Sequence, residues 1–172
     1  MGTHIYAVAN HAAVTTAAPV EVSTGTAIKT MLQLSTPSTR EIQLLSWWFT
    51  VDQAPAAAGE GVVELLQCDV GATVVAHVAA GVQPLHPNAP ASLLTLGTEN
   101  TGYSASAEDT ITASRSFQTV KVTGVTNGPG PLTYNYQFLP NERPVVDSSS
   151  FLRIRVTFSA AVNMLCGVVF SE

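Results

Sequence analysis

Apolar and polar positions alternate with a period of two along most of this chain. From Phe151 to Phe158, Leu152, Ile154, Val156 and Phe158 alternate with Arg153, Arg155 and Thr157. Val162, Met164, Cys166, Val168 and Phe170 form a second apolar set just beyond. That period predicts strands with one buried face, and the link Ser159-Ala160-Ala161 has the length of a hairpin turn, so the two runs are expected to pair antiparallel. Strands so placed need neighbours on both faces and both edges, which implies a closed or two-layered β architecture. Upstream, Ile28, Thr30, Leu32 and Leu34 oppose Lys29, Met31 and Gln33, and Pro37 closes that strand. In Glu41 to Asp52, Leu45, Trp47, Phe49 and Val51 share one parity, while Leu44, Ser46, Trp48 and Thr50 share the other.

Val62 to Asp69 resumes the alternation after the Ala/Pro/Gly-rich stretch Gln53 to Gly61, and the two runs read as a long hairpin. Thr73 to Val82, Ser92 to Thr98, Thr110 to Thr123 and Leu132 to Phe138 are further strand candidates, with Pro84, Pro87 and Pro90 marking an irregular segment and Asn127-Gly128-Pro129-Gly130 a turn. Helical periodicity is missing throughout, and turn signals recur at roughly the 8–12-residue spacing of sandwiches and barrels. The expected class is an all-β antiparallel sandwich in one domain. Ile5, Tyr6 and Val8 could form a short strand, but the Ala/Thr-rich stretch up to Pro19 follows neither period. Residues 1–19 therefore read as an N-terminal arm and residues 20–172 as the β-sandwich domain.

Composition adds one unusual fact. Only 11% of the 172 residues are charged, against roughly 25% in an average globular domain, while the apolar share of 46% is ordinary. Either the surface is built from Ser, Thr, Asn, Gln and Ala, as in a Thr-rich β-protein, or part of it is occupied by copies of the chain or by a partner. A net charge of −5, with Lys29 and Lys121 the only lysines, argues against a nucleic-acid surface. No signal peptide is evident, and no run approaches the roughly 18 apolar residues of a membrane helix, so no membrane partner is expected. Met1-Gly2 begins like a myristoylation site, but Tyr6 stands where Ser or Thr is required. Cys68 and Cys166 read as small buried hydrophobes, with a disulfide left open.

Candidate chemistry is sparse. The spacings of His4, His11, His77 and His86 match no zinc pattern. Gly124 to Gly130 lacks the Lys-Ser/Thr and the helix of a phosphate loop, and there is no Gly-x-Ser-x-Gly elbow. Glu108-Asp109 is the only adjacent acidic pair and reads as a solvated turn. No cofactor is expected, and a small β-fold enzyme is the weakest of the function classes. The two tryptophans carry more. Successive strand residues face opposite ways, so Trp47 is expected in the core with Leu45, Phe49 and Val51, and Trp48 outside between Ser46 and Thr50. An outward Trp, unless a loop or the arm of its own chain covers it, suits an association surface. Leu44 on the same parity, and Ile5, Tyr6 and Val8 in the arm, complete the candidate interface.

Several strand-like blocks carry a resemblance. They are Ser23-Thr24-Gly25-Thr26 with Lys29 to Leu34, Arg40 leading into the Trp-bearing strand that ends in Asp52, Val62 to Gln67, Arg143 to Val146, Leu152 to Thr157, and Ala160 to Asn163. Together, over about half the chain, they resemble a family of small proteins of tailed bacteriophages that infect actinobacteria. The arm before Val20 and the Thr110 to Phe138 region depart from the family pattern. The resemblance implies a minor capsid or decoration protein with a jelly-roll-like sandwich. It would sit on the outside of the virion shell as a homotrimer against the major capsid protein, after assembly in the host cytoplasm. A carbohydrate- or receptor-binding sandwich is the alternative, with Trp48, Tyr134 and Tyr136 as its stacking platform.

Overall fold

The computed structural model describes residues 4–52, 60–123 and 132–172. The Gln53 to Gly61 loop (all but its last two residues), the Asn127 to Gly130 turn and Met1-Gly2 lie outside the described residues. The strands run β1 (Ile5–Ala9), β2 (Val22–Ser23), β3 (Lys29–Ser35), β4 (Ile42–Val51), β5 (Glu60–Cys68), β6 (Thr73–Ala76), β7 (Val82–Pro84), β8 (Gly102–Ala107), β9 (Ser114–Thr123), β10 (Leu132–Gln137), β11 (Val145–Val146), β12 (Phe151–Phe158) and β13 (Asn163–Ser171). Sheet I has the order β10-β4-β13-β1-β7, with β11 beside β4 and β2 beside β13. Sheet II has the order β6-β8-β3-β12-β5-β9. Every strand pairing is antiparallel, and the two sheets pack face to face as an all-β sandwich.

The core lies between the sheets. Sheet I contributes Tyr6, Trp47, Phe49, Met164, Val168 and Phe170, and sheet II contributes Leu32, Leu34, Leu65, Ile154, Val156 and Phe158. Each set follows the period of two read from the sequence. The expected pairing does not. β12 belongs to sheet II, beside β3 and β5, whereas β13 belongs to sheet I, beside β4 and β1. The link through Ser159, Ala160 and Ala161 therefore arches from one sheet to the other instead of closing a hairpin. Four linking residues span up to about 13 Å, enough for the ~10 Å between packed sheets. Val162 plugs the arch, with its N–H donated to Thr24 Oγ1 (3.1 Å) and its carbonyl accepting the Thr24 N–H (2.8 Å). β4 and β5 are likewise split between the sheets, so they do not pair as the expected long hairpin. Alternation records a buried face but not the partner across the ladder.

Two further expectations need correction. Ile5–Ala9, placed in the arm, forms β1 inside sheet I, between β13 and β7. Only after Asn10 does the chain leave the sheet. In β4, Val169 pairs with Ser46 but Phe170 with Leu44, so Leu45 is an extra residue in the ladder. This β-bulge reverses the parity of the strand: Trp47, Phe49 and Val51 face inward as expected, but upstream of the bulge Leu44 and Ile42 take the inward places and Leu45 is displaced.

Candidate functional site

The outer face of sheet I is built without charge. None of the strands of sheet I contains Asp, Glu, Lys, Arg or His. The strands of sheet II carry Lys29, Glu60, Glu64, Arg115, Lys121, Arg153 and Arg155. Charges near sheet I stand at its margins, at Glu21, Glu41, Asp52 and Glu172 just beyond strand ends. On sheet II the charges pair: Arg155 with Glu64 at 2.9 Å, Lys121 with Glu60 at 2.6 Å, and Arg115 with Asp147 at 3.8 Å. One sheet thus has the outer face of a solvated protein and the other does not.

At the centre of the uncharged face lies Trp48, half-buried. Its indole lies over Gly167 of the neighbouring strand, where a Cβ would come within 2.8 Å of Nε1 and of the Val8 carbonyl oxygen. A glycine is required there for the ring to lie flat. Ala7 and Ala9 continue the low surface on β1, with Ser46, Thr50, Leu165 and Val169 around it, all partly exposed. The ring borders a shallow cavity of about 320 Å³ whose other walls include Ala9, Ala12, Val14 and Gln83. The chain after β1 therefore covers part of Trp48, and the rest faces outward.

Of the five candidate interface residues, Trp48 and Ile5 stand on this face, and three do not. Tyr6 and Val8 point into the core; Tyr6 stacks on Phe170 (5.6 Å between centroids) and donates its hydroxyl to the Pro90 carbonyl at 2.9 Å. Leu44 is fully buried because of the bulge at Leu45. The proposed stacking platform is also divided. Tyr134 and Tyr136 pair with Phe49 and Trp47, on the inner side of β10, opposite to Trp48. Tyr134 stacks on Phe49 at 5.2 Å, and its hydroxyl shares Gln118 Oε1 with the Trp47 Nε1–H, at 3.3 and 2.6 Å. These rings close the core at the sandwich edge.

The titratable groups serve the scaffold. His77 is buried, donates its Nε2–H to the Ala9 carbonyl at 2.9 Å and packs on Tyr103; burial holds its imidazole below the usual pKa, against the opposing pull of that carbonyl. Cys68 and Cys166 are free and buried in different sheets, and burial raises the pKa of both thiols. Glu108, read as a solvated turn residue, is the counter-charge of a buried arginine. Its carboxylate accepts from the Thr30 N–H, the Thr30 hydroxyl (2.7 Å) and Arg153 Nη1 (3.3 Å). Among the described residues, no three His, Cys, Asp or Glu side chains converge in a metal-binding geometry. No protein-family model, no curated protein and no solved structure matches this chain.

Proposed function

We propose that this chain is a non-enzymatic bacteriophage capsid decoration protein, binding the outside of the shell as a homotrimer and stabilising it. The observation that carries the reading is the division of charge between the two sheets. A sandwich with both outer faces in water gains solubility from charge on either one; here one face is uncharged, centred on a Trp, and lined by Ala, Gly, Ser and Thr. Its five strands, of six, ten, nine, five and three residues, present on the order of 500 Å² per copy at ~3.3 Å per residue and ~4.8 Å spacing, about two thirds of the ~800 Å² per partner of a standard interface.

The capsid enters through the resemblance, whose blocks cover most of β3, β4, β5, β11 and β12 and touch only the last residue of β2 and the first of β13. A cementing role needs area and complementary shape instead of a reactive centre. The test uses shells lacking the protein. Purified chain added at micromolar concentration is expected to co-sediment with them, appear as knobs in negative stain, and raise the temperature at which they release DNA. Failure to co-sediment, together with absence of the chain from purified virions, would refute the proposal.

A further inference from the structure

The segment between β1 and β2 is longer than its path requires. The chain leaves the edge of β13 at Asn10, whose N–H donates to the Cys166 carbonyl at 2.9 Å, and returns at Val22, paired with Met164. Those anchor points are two residues apart on β13, a gap of roughly 7 Å. Residues 11–21 intervene. From Ala12 to Val20 they are uncharged, and Val14 and Val20 are 61% and 75% exposed. Among the described residues, Ala12 to Glu21 make no backbone–backbone hydrogen bond.

One sheet edge has the complementary need. Among the described residues four strands stand at sheet edges: β7 has three residues and ends in Pro84, β6 has four with an irregular register, β9 carries Arg115, Lys121 and a bulge, and β10 is the fourth. These features blunt an edge against further pairing. β10 has six residues in regular register with β4, without charge or proline. The Phe138 N–H donates to the Leu45 carbonyl at 2.9 Å, so alternation along the ladder turns Tyr136, Tyr134 and Leu132 toward β4. The N–H and C=O groups of Thr133, Asn135 and Gln137 then point away, along an exposed edge.

We infer that residues 12–20 of one copy add as a strand to the β10 edge of the next copy. The arm leaves sheet I on the β1 side of β13, and β10 lies beyond β4 on the other side, about three strand spacings or ~14 Å away. A donor at one edge and an acceptor at the opposite edge of the same sheet join copies head to tail. Such heterologous contacts form rings when the rotation closes. Three copies close this ring, which rests on the trimer in the function proposed above. The small Ala and Thr side chains of the arm let it lie flat beside Thr133, Asn135 and Gln137, with no charge to desolvate on either side.

The test combines light scattering with residue-resolved amide exchange on the full chain at tens of micromolar. The wild type is expected to be trimeric, with the amides of Thr133, Asn135 and Gln137 exchanging at least 100-fold slower than free edge amides. Deleting residues 13–18, which leaves enough chain to bridge Asn10 and Val22, should give monomers in which those three amides exchange freely while Tyr134 and Tyr136 stay protected. Asn135→Pro removes one outward N–H without touching the β4 ladder and should weaken trimerisation at least tenfold. A trimer whose three edge amides exchange freely, or a deletion variant that remains trimeric, would overturn the arm-to-edge contact and leave the trimer standing. A monomeric wild type would overturn both.

Discussion

Glu108→Ala isolates the buried charge on which the packing over sheet II depends. Arg153 projects from the outer side of β12, yet none of its surface is exposed, because the segments around Val70 and Glu108 close over it. Its Nη1 donates to the Glu108 carboxylate at 3.3 Å and the Glu108 carbonyl at 3.1 Å, its Nη2 to the Val70 carbonyl, while Nε has no partner. Removing the carboxylate leaves a buried cation without its counter-charge and takes the acceptor from the Thr30 N–H and hydroxyl. Breaking a buried pair costs about 3–5 kcal/mol. The Glu108 side chain is 21% exposed, so water softens the loss and the lower end, about 3 kcal/mol, is expected. At a urea slope of roughly 2 kcal/mol/M, the unfolding midpoint should fall by about 1.5 M. Adding Arg153→Met should recover about 1–2 kcal/mol of that loss, the remaining ~1–2 kcal/mol belonging to the unpaired Thr30 groups. A single-variant loss below about 1 kcal/mol, or a double variant no more stable than the single, would refute the reasoning.

Other expectations concern the core, pH and one tight approach. Trp47→Ala should lose about 3–5 kcal/mol in denaturant unfolding, since it empties a fully buried site and leaves Gln118 Oε1 with only the longer bond from the Tyr134 hydroxyl, while Trp48→Ala leaves the unfolding midpoint nearly unchanged. His77 has a lowered pKa in the folded chain, so the unfolded chain binds more protons in acid: its contribution to stability is complete above the unfolded pKa of about 6.5 and declines as pH falls below it. Melting curves from pH 7.5 to 5 should show that decline in the wild type and a smaller one in His77→Gln. A Cβ on Gly102 would press on the Val75 carbonyl oxygen, so Gly102→Ala should cost about 1–3 kcal/mol by the same unfolding assay.

The strands and their buried faces could be read from period-two alternation, because burial acts on each side chain locally. What joins to what could not. Phe158 and Asn163 are the same few residues apart whether the link closes a hairpin or arches between sheets, and only packing of the whole core decides. Leu44 faces the core and not the outer face because one inserted residue, Leu45, reverses parity without a trace in the hydrophobic pattern. Ile5 to Ala9 alternates over only five residues and is partly Ala, too weak a signal to stand out from the arm beside it. Arg153 reads as an exposed residue on a polar parity, and the segments that bury it are distant in sequence. The low overall charge was visible from the start, but its meaning depended on knowing which strands share a sheet. Once they are sorted, every charged strand residue falls on sheet II.

The central claim, that the uncharged outer face of sheet I is buried when the copies joined by the arm assemble, is tested most directly by placing a charge on it. Ser46 and Val169 are cross-strand neighbours on that face, and Thr157 is exposed on the outer side of sheet II. A lysine at any of these positions can extend its ammonium into water in the isolated chain, so folding should survive. Light scattering of wild type, Ser46→Lys, Val169→Lys and Thr157→Lys at tens of micromolar is the measurement. The wild type and Thr157→Lys should have three times the 18.0 kDa chain mass, and the two sheet I variants should fall to a single chain. A monomeric wild type, or sheet I variants with the mass of the wild type, would contradict the account.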